Sequence, residues 1–159
     1  MPGLDTPRPT TSLVYIVDWL PPDFGAIGQY ALKEAEERAS AGERVHLVGL
    51  TSGASTVEGR ALGRGHLKVT RLSSSPVPRT NLKHRAAWTL KTNARLVAAA
   101  LSSMRSADEV LFTASPPFLE HLILPLKSIL RGRVVFRIAD VHPEALMAEL
   151  ARVPRWLEA

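Results

Sequence analysis

The sequence predicts an α/β fold: a Rossmann-like, doubly wound parallel sheet of about five strands in the order 3-2-1-4-5, with helices on both faces. Three observations lead there. Short apolar, β-branched runs recur at residues 13–18, 45–50, 67–72, 108–113 and 134–138. Segments with helical periodicity lie between most of them, the alternation that builds parallel sheets through right-handed crossovers. The stretch 13–50 contains the whole unit once, as strand, glycine-bearing turn, amphipathic helix and strand.

Residues 1–12 are rich in Pro and Thr and lack an apolar h-region, so they read as a flexible arm and not as a signal peptide. Residues 13–159 then form one domain. The first strand ends at Asp18, and Pro21 and Pro22 stop the extended run. Gly25 and Gly28 permit positive φ or close approach of backbone to a ligand, although a tight turn alone would also account for them. A helix over 29–41 follows, with Tyr30, Ala31, Ala35 and Ala39 at helical spacing and Lys33, Glu34, Glu36, Glu37 and Arg38 mostly elsewhere. Gly42 stands at its C-cap.

After the second strand, residues 51–65 are Gly- and Ser-rich without periodicity and read as a loop. The third strand leads to a proline-bearing connection over 73–80. From 82 to 104 runs the longest helix, with Leu82, Ala86, Leu90, Asn93, Val97, Ala100 and Met104 on one stripe and His84, Trp88, Lys91 and Arg95 on another face. The fourth strand precedes a helix over 118–130 that Pro125 kinks. A fifth strand follows, and a last helix begins near Pro143.

At 159 residues and 45% hydrophobic, the chain has the composition of a globular domain with a real core. The absence of cysteine excludes disulfides and thiolate metal sites and fits a reducing compartment. No run approaches the roughly 18 consecutive apolar residues of a membrane span, so the chain reads as soluble and cytoplasmic. Net charge is +5 with pI near 10.1. No Asp or Glu occurs from Gly59 to Ala107, where Arg60, Arg64, Lys68, Arg71, Lys91 and Arg95 are among the cations. That stretch is either a solvated basic face or a surface for phosphates, acidic lipid or nucleic acid.

The carboxyl edge of such a sheet is where ligands bind. If the strand order holds, the Gly25–Gly28 turn and the Ser115-Pro116-Pro117 turn flank one crevice. The turn lacks the GxGxxG fingerprint, and nothing matches a P-loop, which leaves a helix N-terminus suited to a phosphate or carboxylate. Ser115 suits a helix cap, with proline near N1, better than a nucleophile, because no GxSxG surrounds it. Asp140, His142 and Glu144 alternate past the fifth strand. No fourth ligand accompanies them, so substrate contact is expected there and a metal is not. His84, Trp88, Lys91 and Arg95 combine cations with one amphipathic aromatic, as interfacial helices do, while Trp88 equally suits packing at the domain edge. No RNP or zinc-finger spacing supports a dedicated nucleic-acid module.

Three motifs carry a family resemblance. The run Gly25-Ala-Ile-Gly-Gln-Tyr30, continuing to Ala41-Gly-Glu-Arg-Val45, resembles the N-terminal signature of GT-B glycosyltransferases of family 4. Thr113-Ala-Ser-Pro-Pro117 and Arg137-Ile-Ala-Asp-Val-His-Pro-Glu144 are similar to the Ser-Pro-Pro turn and Asp-x-x-Pro-Glu loop of bacterial surface-polysaccharide transferases. The resemblance covers residues 13 to about 150. It implies the acceptor-binding half of a two-domain enzyme, with the donor-binding domain beyond this chain. Gly25 and Gly28 would then approach the donor phosphates, and Asp18, Ser115, Asp140, His142 and Glu144 would border the acceptor. No residue receives a catalytic role. The implied partners are a nucleotide-diphosphate sugar as donor substrate and a lipid-linked or polysaccharide acceptor; a peripheral contact with the inner face of an anionic membrane is a separate expectation that rests on the basic, carboxylate-free stretch. No bound cofactor is implied. The alternative is a non-enzymatic module that binds an anionic ligand or nucleic acid through the basic region.

Overall fold

Leu13, Val14, Tyr15, Ile16 and Val17 are each at most 2% exposed, because the strand they form lies in the middle of the sheet with a helix over each face. The computed structural model describes residues 11–23, 25–76 and 82–138. In chain order its elements are β1 (Ser12–Trp19), α1 (Ala26–Ala41), β2 (Arg44–Thr51), β3 (Thr56–Leu62), β4 (Gly65–Ser73) and α2 (Leu82–Met104). They continue with β5 (Glu109–Thr113), α3 (Glu120–Ile123), a 3-10 segment over Leu124–Ile129 and β6 (Arg133–Arg137). The sheet order is β3-β4-β2-β1-β5-β6. Every neighbouring pair is parallel except β3 with β4.

Alternation along the strands sorts the core into two layers. Leu13, Tyr15, Val17, Val45, Leu47 and Leu67 face α1, which meets them with Ala31, Ala35 and Ala39. Those small side chains let the helix lie close to the sheet. Val14, Ile16, Val48, Leu50, Val110 and Phe112 face α2, which supplies Leu96, Val97, Ala100 and Met104. Gly42 adopts φ 116 at the α1 C-cap, and its N–H donates to Ala39 O at 2.9 Å. That is the left-handed cap its position predicts.

The parallel strands keep the expected 3-2-1-4-5 order, and an unexpected strand is added outside them. Residues 51–65 are not a loop: they contain β3, which turns back on β4 through Gly63-Arg64, with Gly63 at φ 55. β3 lies on the sheet edge with most of its side chains exposed, so it carries no apolar alternation. The predicted helix over 118–130 is also corrected. Phe118 sits at φ 65, which prevents a helix from starting there, and α3 gives way to the 3-10 segment where Pro125 lacks an N–H.

The stripe of the longest helix is buried only from Asn93 onward; Leu82 is 78% and Leu90 62% exposed. Ser12, expected in the arm, opens β1 and bonds Asp108, and Thr11 O just before it accepts from Arg44 N. The helix expected near Pro143 lies outside the described residues. Among those residues no helix is long and apolar enough to cross a membrane.

Candidate functional site

The crossovers from β1 to β2 and from β4 to β5 pass on opposite faces of the sheet, so the carboxyl ends of β1 and β5 form the topological switch point, where sheets of this class bind ligands. Asp18, next to last in β1, and Ser115, just past β5, meet there. Ser115 Oγ donates to Asp18 Oδ2 at 2.6 Å across 97 residues of chain. The Ser115 carbonyl in turn accepts from Thr113 Oγ1 at 2.6 Å, and the Ser115–Pro116 peptide is cis. Burial pushes the Asp18 carboxyl above the usual range, and the bond from Ser115 only partly offsets it. Asp18 Oδ1 is buried and has no hydrogen-bond partner among the described residues. A buried carboxylate with one oxygen tethered and the other without a partner is held toward its neutral form, which is what the raised pKa reflects.

Ser115 is therefore not the helix cap that its sequence context favoured. α3 has Leu119 at its N-cap, without a side-chain cap bond. Instead the loop is fixed from α2, where Asn93 Nδ2 donates to Pro117 O at 2.8 Å. Asn93 is 1% exposed and occupies a stripe position that sequence reasoning treated as packing. Its polar amide in an otherwise apolar row was the available signal.

Neither glycine of the turn has positive φ. Gly25 is the N-cap of α1 in an extended conformation, φ −169. Gly28 is buried, and a Cβ there would come within 1.8 Å of Trp19 O, so the close approach at this position is to the end of β1 itself. The opening turn of α1 carries no acidic side chain. Its free N–H groups and dipole retain their preference for an anion.

Asp23 holds this turn against β2. Its carboxylate accepts from Ser52 Oγ, Thr51 Oγ1 (2.8 Å) and Ser52 N (3.0 Å), and the Ser52 and Thr51 bonds keep it below the usual carboxylate range. Sequence reasoning missed that tie. An Asp in the turn and a Thr-Ser pair ending the next strand were its only trace.

The α2 face is divided. His84 and Lys91 are exposed, while Arg95 and Trp88 are half-buried. Trp88 packs on the α2-side core and donates Nε1–H to Ser75 O at 3.1 Å, which is the domain-edge packing alternative. Asp140, His142 and Glu144 lie outside the described residues. Among the described residues no group of three His, Asp or Glu is placed to hold a metal ion.

No protein-family profile and no curated protein matches the chain. Five chains of solved structure resemble it. One, from E. coli, is described as trehalose-6-phosphate bound with UDP-2-fluoro glucose. It is 15% identical, with a TM-score of 0.54 over 92% of this chain and 36% of that one. Another is the α,α-trehalose 6-phosphate synthase of Burkholderia multivorans, 12% identical, with a TM-score of 0.49 over 80% of this chain and 32% of that one. The chain thus spans about a third of the length of these proteins. At such identity the first likeness is one of fold, a Rossmann-like α/β sheet.

Proposed function

We propose that this chain is the acceptor-side half of a nucleotide-sugar-dependent glycosyltransferase of the GT-B kind, which acts on a lipid-linked or polysaccharide acceptor. The observation that carries the reading is the pairing of Asp18 with Ser115 at the β1/β5 switch point, where Ser115 tethers one oxygen of the buried carboxylate. The shared fold with a structure described as holding UDP-2-fluoro glucose supports it, since nearly the whole chain aligns with a domain-sized part of that protein. The neighbours are described in terms of trehalose 6-phosphate, so family 4 and the polysaccharide acceptor rest on the sequence motifs alone.

In this reading Asp18 borders the acceptor side of the cleft, and its raised pKa makes it a better proton acceptor than an exposed carboxylate. The opening turn of α1 faces the departing nucleotide diphosphate from one side of the cleft, where N–H groups and dipole stabilise developing negative charge. The donor domain follows this chain and closes the cleft. The exposed first half of α2, with Leu82 and Leu90 beside Lys83 and Lys91, supplies a peripheral contact with anionic membrane.

The test begins with the native gene product. An immunoblot of source cells with antibody against this chain is expected to show a band at about twice 17.3 kDa or more, because each half of such an enzyme is domain-sized. That longer protein should transfer sugar from a nucleotide-sugar donor, and Asp18→Asn should remove transfer without lowering its unfolding midpoint. A band at 17.3 kDa, or transfer by the isolated chain at the rate of the longer form, would overturn the proposal.

A further inference from the structure

β3 is the outer strand of the sheet, and among the described residues nothing pairs with its free edge. Its hairpin closes through the two residues Gly63-Arg64, so Leu62 and Gly65 form a hydrogen-bonded pair, as do Arg60 with Leu67 and Glu58 with Val69. The N–H and C=O groups of Val57, Gly59 and Ala61 consequently point outward. They repeat at the two-residue spacing that an antiparallel partner requires.

The sequence of that edge is complementary to itself. Antiparallel pairing with the same strand of a second copy, Gly59 against Gly59, sets Val57 opposite Ala61 and Glu58 opposite Arg60, each pair occurring twice. All the outward backbone groups of those three residues find partners. Within one copy Glu58 already lies 3.2 Å from Arg71, and Arg60 bonds Glu36 on α1. Pairing across the edge joins them into one row of alternating sign: Arg71, Glu58, then Arg60 and Glu36 of the second copy. Beside Glu58 and Arg60 opens a groove of about 490 Å³ whose rim carries Glu36, Glu58, Arg60 and Arg71, so the charged row borders it on the α1 side of the edge.

The opposite edge makes an instructive contrast. Antiparallel self-pairing of β6 about Val135 would set Arg133 against Arg137, the like-charge arrangement by which edge strands resist association. β3 has the reverse pattern. We infer that the chain forms a two-fold dimer through its β3 edges, with one sheet continuous across both copies. The β1/β5 crevice stays open in that dimer, so the inference stands apart from the proposed function.

Sedimentation equilibrium of the 159-residue chain at about 100 μM should give twice 17.3 kDa and no larger species, since the contact uses each β3 edge once. Glu58→Lys and Arg60→Glu each place like charges opposite one another twice, and each should weaken association on the order of tenfold or more. An equimolar mixture of the two variants restores both opposite-charge pairs and should dimerise again. Glu58 and Arg60 also bond within the chain, so Val57→Lys, at a side chain already 66% exposed, tests the edge without touching those bonds and should also weaken the dimer. A wild-type mass of 17.3 kDa throughout, association indifferent to all three variants, or a mixture that stays monomeric would overturn the inference.

Discussion

His46 lies in β2 beneath α2 with both ring nitrogens engaged, Nδ1 with Ser103 Oγ at 2.8 Å and Nε2 with Thr70 Oγ1 at 2.9 Å. Burial first, and the Lys68 ammonium second, push its pKa down from 6.5 to about 4. The unfolded chain therefore takes up a proton as pH falls below 6.5, while the folded chain refuses it until about 4. Stability is lost across that window, by about 3 kcal/mol in total. Urea midpoints of the wild type should fall between these pH values, and His46→Gln should flatten the decline. Single residues were the least legible part of the sequence. Asp18 and Ser115 were both expected at the acceptor side, but their mutual bond spans 97 residues and no local pattern encodes it.

At the scale of elements, the docking of α1 on the sheet depends on Gly28, where a methyl group would meet the Trp19 carbonyl oxygen at 1.8 Å. The nearest atoms, Trp19 O and C and Leu20 Cα, are all backbone, so no flexible side chain can yield. Gly28→Ala should cost about 3 kcal/mol or more in chemical denaturation, whereas Gly25→Ala, with 3.2 Å available, should cost much less. The strands with a buried face and the helices with a complete stripe were legible, because burial imposes a period that a sequence displays. β3 was not. It buries almost nothing, and only its Gly-x turn, suited to a tight hairpin, announced it. The first half of α2 misled for the opposite reason: its apolar stripe is real, but Leu82 and Leu90 stay exposed.

Across the whole molecule, the amino edge of the sheet is fastened by charge. Glu109, 7% exposed at the start of β5, is bonded by Arg133 of β6 at 2.8 Å and by Arg38 of α1 at 3.2 Å, and Arg38 also holds Glu43. Burial alone would raise the Glu109 pKa, but Arg133 and Arg38 outweigh it and the net shift is downward. Its contribution is therefore complete above the ordinary carboxylate value and is lost as pH falls through the lowered one. Glu109→Ala should cost about 2 kcal/mol at neutral pH, and that deficit should shrink in acid, which paired denaturation curves would reveal. The strand order itself was legible, since right-handed crossovers leave few arrangements for alternating strands and helices.

β1 pairs with β2 on one side and with β5 on the other, although it precedes both among the described strands. As the chain leaves the ribosome, β1, α1, β2, β3 and β4 arrive as one contiguous block whose α1 layer can close at once. The opposite face of that block, with Val14, Ile16, Val48 and Leu50, must wait for α2, and the free flank of β1 must wait for Glu109. Synthesis at roughly 5–20 residues per second leaves that apolar face uncovered for seconds. During that interval it is the surface that a nascent-chain chaperone would cover, and the one through which an interrupted product would aggregate.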